Sequence, residues 1–135
     1  MLRTTLFLLA FIAAPTQARA ATVSDLVGKW GLASYFIDAD AAQTEVAAHA
    51  QCQAPYIIAK GPTGGVMLHL PDATRTSEMQ IKSGLAASFV GPKGETGGLN
   101  DREILRADHR TLVLKWLDPS VAKRYGIMVF VRCGP

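Results

Sequence analysis

Between Ser77 and Lys82 polar and apolar residues alternate, with Met79 and Ile81 set between Glu78, Gln80 and Lys82. A period of two sends alternate side chains to opposite faces of a ribbon, so this segment predicts a half-buried strand. Shorter apolar runs bounded by turn residues predict the rest. Trp30 to Ile37 is rich in the aromatic and branched residues that suit a pleated surface. Tyr56 to Ala59, Val66 to Leu70, Ala86 to Val90, Arg102 to Arg106, Thr111 to Leu117 and Gly126 to Cys133 complete a set of about eight. Between them stand Gly61-Pro62-Thr63-Gly64-Gly65, Pro71-Asp72-Ala73, Asp108-His109-Arg110 and Asp118-Pro119-Ser120, where glycine supplies positive φ and proline presets the bend. The longer Gly91 to Gly98 segment reads as a flexible hairpin or barrel lid. Only Ala41 to Gln51 favours a helix. It lacks a strong apolar stripe, so packing or a covalent tie must hold it. Ala21 to Val27 reads as a short arm or one helical turn, with Ser24 or Asp25 as its cap.

Many short strands with regular turns and little helix predict an all-β, antiparallel sandwich or barrel. Closure into an up-and-down barrel of about eight strands removes the exposed edges a sandwich would leave. Such a barrel pairs its last strand with its first.

The first twenty residues have a different pattern. Arg3 precedes a short apolar run from Leu6 to Ala14, Pro15 interrupts it, and Ala18-Arg19-Ala20 offers small residues for a peptidase. That is the pattern of a cleaved secretory signal, 1–20, leaving one domain over 21–135. The run is shorter than the ~20 apolar residues a membrane span needs, and no later segment reaches that length. The expected location is the periplasm or the exterior. Without Arg3 and Arg19 the 14 Lys+Arg and 11 Asp+Glu of the chain become 12 against 11. No basic cluster remains of the kind that binds nucleic acid.

Export changes the reading of Cys52 and Cys133. In an oxidising compartment a distant pair most simply forms one disulfide. Cys52 follows the first strand and helix, and Cys133 ends the last strand, so the bridge would pin the seam of a closed barrel.

Gly28-Lys29-Trp30 at the start of the first strand resembles the Gly-x-Trp signature of the lipocalin-like, or calycin, barrels. The resemblance implies that Trp30 closes the barrel floor and stacks against a basic residue of the last strand, here Arg132. Met79, Phe89, Trp116, Met128 and Phe130 either line a cavity suited to a small apolar ligand or fill a solid core, since a barrel of eight short strands is just wide enough for either. A weaker resemblance is to small exported bacterial inhibitors of metallopeptidases and lysozyme, which are short barrels with a disulfide. It implies an amino-terminal arm, here Ala21 to Asp25, that reaches into an enzyme.

Catalytic chemistry is hard to assemble. His49, His69 and His109 have no metal-binding spacing, and G-x-S-x-G is absent. Asp38 and Asp40 lack further oxygen ligands for calcium, and Gly91 to Gly98 lacks the Lys-Ser pair of a phosphate loop. Arg102, Glu103, Arg106, Asp108 and Arg110 read as a solvated face. The expectation is a non-enzymatic binding module without cofactor or metal. It holds a small apolar ligand inside its barrel or, alternatively, inhibits or docks an exported peptidase or lysozyme through loops and arm.

Overall fold

A computed structural model describes residues 19–134. The expected signal segment therefore lies outside the described residues except for its last two positions. Eight strands run β1 (Gly28–Tyr35), β2 (Tyr56–Lys60), β3 (Val66–His69), β4 (Thr76–Ser83), β5 (Ser88–Gly91), β6 (Arg102–Ala107), β7 (Thr111–Trp116) and β8 (Ile127–Arg132). Each pairs antiparallel with its sequence neighbour, and β8 pairs with β1 from Trp30 opposite Arg132 to Tyr35 opposite Ile127, closing the barrel. This is the closed up-and-down barrel that the strand count and turn spacing predict.

Three helices decorate it: α1 (Val23–Leu26), α2 (Ala41–Ala50) and α3 (Pro119–Tyr125). Antiparallel pairing fixes what each end carries. One end holds α1, the β4–β5 and β6–β7 turns and the chain's carboxyl end. The other holds the β3–β4 turn, the β5–β6 loop and α3.

The period of two explains the interior. Trp30, Ile58, Val66, Leu68, Met79, Val90, Leu112, Leu114, Trp116, Met128 and Phe130 are buried together, with Leu26 of α1 and Val121 of α3 plugging opposite ends. Burying these side chains is the main favourable contribution to folding, roughly 1.5–3 kcal/mol each for the larger aliphatic ones.

β1 differs from the sequence reading. It begins at Gly28 and ends at Tyr35, where β8 begins opposite it, so Phe36 and Ile37 leave the sheet and are exposed. Composition marks an apolar run, but the partner strand decides where pairing stops. The chain then makes a 3-10 turn at Asp38–Asp40 and enters α2.

α2 lies across the outer face of β1 and β8, with Thr44 and Ala48 buried beneath it. Gly31 permits this approach: a Cβ there would stand 1.9 Å from the Ala48 carbonyl oxygen and 3.2 Å from Cys52 Sγ. The Cys52–Cys133 disulfide ties the segment after α2 to the end of β8. Close backbone packing and a covalent tie thus hold a helix whose own sequence gives it little amphipathic drive.

Candidate functional site

At the end carrying α1, Trp30 is fully buried and its indole Nε1–H donates to the Leu26 carbonyl at 2.9 Å. The Arg132 guanidinium sits 4.2 Å from the centre of the indole ring. Arg132 also donates to the carbonyls of His109 at 2.7 Å, Val27 at 2.9 Å and Asp25 at 3.2 Å. One cation therefore covers the indole and draws α1, β1 and the β6–β7 turn together. Gly28 makes room: a Cβ there would lie 2.3 Å from Arg132 Nη1.

The amino-terminal segment is not a free arm. The Thr22 backbone N–H and hydroxyl both donate to Asp25 Oδ2 at 2.8 Å, capping α1. Leu26 is fully buried, and Ala21 and Val23 pack against the core. The segment that the inhibitor resemblance would send into an enzyme closes its own barrel.

Of the five candidate lining residues, Met79, Trp116, Met128 and Phe130 come together in the buried cluster. Phe89 does not join them. It alternates with inward Val90 on β5 and is half-buried near Gly84 and Gly97 on the outside. Inside, Phe130 meets Trp30 edge-on at 6.4 Å and Tyr56 at 5.7 Å. Four concavities on the described residues, the groove below among them, are lined by none of the thirteen buried cluster residues.

The β5–β6 loop, read from sequence as a flexible hairpin or lid, lies down on the outer face of the sheet. Lys82 Nζ reaches Asp101 Oδ1 at 2.8 Å and the Glu95 carbonyl at 2.7 Å, while Gly97 N–H donates to Asp101 Oδ2 at 2.8 Å. Both charged side chains are almost wholly buried. No spacing rule links residues 19 positions apart, so only the fold brings this pair together.

The charged stretch from Arg102 to Arg110 divides. Arg102 alternates inward and is only 4 % exposed, contrary to the solvated face its composition suggests. Its guanidinium stacks 3.9 Å from the centre of the Trp116 ring and donates through Nη2 to the His69 carbonyl. Desolvation lowers its pKa to about 10, so it stays charged at neutral pH. Nearby, the Tyr56 hydroxyl accepts the His69 backbone N–H at 3.2 Å and lies 2.9 Å from His69 Nδ1. His69 is thus a hydrogen-bonded strand histidine.

Of the remaining charges, Arg106 and Arg110 line a groove of about 880 Å³ between α2 and the β6–β7 turn, and Glu103 and Asp108 do not. Glu45, Val46 and His49 of α2 face Arg106, His109, Arg110, Thr111, Val131 and Arg132 across it. Arg106 bonds Glu45 Oε1 at 2.9 Å and Asp108 Oδ2 at 2.8 Å. Asp108 Oδ1 accepts the backbone N–H groups of Arg110 and Thr111, each at 2.8 Å. Burial pushes the Asp108 carboxyl up, but these donors and Arg106 together outweigh it and hold the group below its ordinary value. The Arg110 guanidinium meets no carboxylate among the described residues. Sequence reasoning missed this groove because α2 and the turn are about sixty residues apart.

Among the described residues no group of three or more His, Cys, Asp or Glu side chains is arranged to hold a metal. Compared with family models, with curated proteins and with solved structures, the chain matches none.

Proposed function

We propose that this chain is an exported, non-catalytic docking module on a calycin-like barrel, recognising another exported protein through the groove between α2 and the β6–β7 turn. The contrast between inside and outside carries the reading. The barrel's inward side chains are buried against one another, whereas the groove is open and holds Arg110, which meets no carboxylate among the described residues. An apolar ligand inside would have to displace tightly packed aromatic and aliphatic groups, and such interiors tolerate added volume poorly.

The groove's chemistry indicates the partner. Among the described residues Glu45 is the one carboxylate side chain lining it, against Arg106, Arg110 and Arg132, with His49 and His109 beside them. Val46 stands 72 % exposed at its edge, and Val131 supplies further apolar surface. A segment with one or two carboxylates beside an apolar anchor complements that surface, since charge matching steers encounter and apolar burial slows release. Inhibition of an exported peptidase or lysozyme would be one form of such docking.

A photo-crosslinking residue at position 46, and another at exposed position 74 on the β3–β4 turn at the opposite end of the barrel, test this in an extract of exported proteins. We expect a discrete protein adduct from position 46 that Arg110→Glu removes, and none from position 74. Denaturing extraction of the purified protein provides the opposing outcome. Release of one equivalent of an apolar small molecule, with no adduct from position 46, would overturn the proposal in favour of a ligand carrier.

A further inference from the structure

We infer that the barrel end closed by α3 holds a small monovalent anion, of halide or formate size, between Arg102 and the indole N–H of Trp116. This site is separate from the groove and does not depend on the docking proposal.

The argument is a count of donors and acceptors. A guanidinium carries five N–H donors and no acceptor. For Arg102 the described residues provide one, the His69 carbonyl, besides the face of the Trp116 ring. No carboxylate among them forms an ion pair with it. Trp116, whose ring the guanidinium covers, adds a second need. It is buried, and its Nε1–H is the one buried side-chain polar atom without a hydrogen-bond partner among the described residues. A buried cation without a counter-charge and a buried donor without an acceptor are each unfavourable, and native proteins rarely leave either.

Whatever resolves both must accept and must carry negative charge. Water accepts, but it brings two protons of its own and cancels no charge. The nearby polar groups are already engaged: the Tyr56 hydroxyl with His69, and the Tyr125 hydroxyl with Asp72 Oδ1 at 2.5 Å. An anion supplies only acceptors and neutralises Arg102. Size follows from burial: Arg102 and Trp116 each leave only 4 % of their surface exposed, so a small ion covers what remains.

Trp116 and Trp30 are the two tryptophans, so the protein carries its own probe and internal control. The indole N–H resonances of ¹⁵N-labelled protein, assigned with Trp116→Phe, are followed during titration with sodium formate and with sodium bromide at neutral pH. The Trp116 resonance should move and saturate while that of Trp30 stays in place. In Arg102→Met the half-saturation should rise by roughly tenfold or more, as expected when a charge-assisted hydrogen bond is lost. Crystals grown in bromide should show an anomalous peak within hydrogen-bond distance of both Trp116 Nε1 and Arg102. Linear drift of both indoles alike, or no peak at that place, would overturn the inference and leave water as the occupant. Hexanoate binding as tightly as formate would overturn the size argument and indicate room for a larger acid. If Arg102→Met does not fold, the two indoles of the unaltered protein still decide.

Discussion

Replacing Trp30 with alanine tests the closed end of the barrel most directly. The side chain is fully buried, so its removal combines lost transfer free energy with a cavity, about 3–5 kcal/mol for a tryptophan in a packed core. The Leu26 carbonyl would lose its indole donor, adding roughly 1 kcal/mol. Arg132 would lose its aromatic face, adding about 0.5–1 kcal/mol, while its three carbonyl contacts keep it in place. The effects overlap, so we expect a total near 5 kcal/mol, comparable with the whole stability of many small domains. In a chain of this size that lowers the melting temperature by roughly 20 °C. Urea unfolding followed by far-ultraviolet dichroism and by the remaining Trp116 fluorescence measures it. Trp30→Phe separates the causes: it keeps most of the apolar volume, loses the N–H donor and should cost about 1–2 kcal/mol. A loss under about 1 kcal/mol for the alanine variant, with an unchanged denaturant slope, would refute the placement of Trp30 as the plug.

Three further perturbations address the parts that surround the sites. Lys82→Met leaves Asp101 buried without its cation and should destabilise by about 3–5 kcal/mol; adding Asp101→Asn should recover part of that, and amide exchange across the β5–β6 loop should report both. Replacing Cys52 and Cys133 with serine opens a loop of 81 residues, for which chain entropy gives a loss of about 4–5 kcal/mol at most, read from the denaturant midpoint. Asp108 has a depressed pKa in the fold, so its stabilising contribution is present above the ordinary value of 3.8 and disappears as pH falls through the lower folded value. Asp108→Asn should therefore flatten part of the acid limb of a stability–pH profile and leave the limb above neutral pH unchanged.

Much of the fold is legible in the residues. The alternation at Met79 and Ile81 marks β4, and glycine and proline clusters separate it from its neighbours. All eight strands lie within about two residues of where pattern and turns put them, because half-burial of a ribbon writes a period of two directly into the chain. β1 was harder to bound, since Trp30 to Ile37 is attractive to a strand throughout and only the start of β8 opposite Tyr35 ends the pairing. The candidate groove was not legible: Glu45 and Arg106 are 61 positions apart and ordinary in composition.

Composition and periodicity alone determined the all-β character, the strand count and the turns that make an antiparallel barrel the natural closure. They also supplied the pair of cysteines that bridge its seam. Only the tertiary structure decided that Arg102 points inward while Arg106 and Arg110 point out. It alone decided that residues 21–26 seal the barrel, that Phe89 lies outside, and that the β5–β6 loop is fastened by Lys82 and Asp101. The reason is range. Local pattern records which face of its own strand a residue occupies, whereas charge pairing, plugging and groove formation depend on segments that meet only after the sheet has closed.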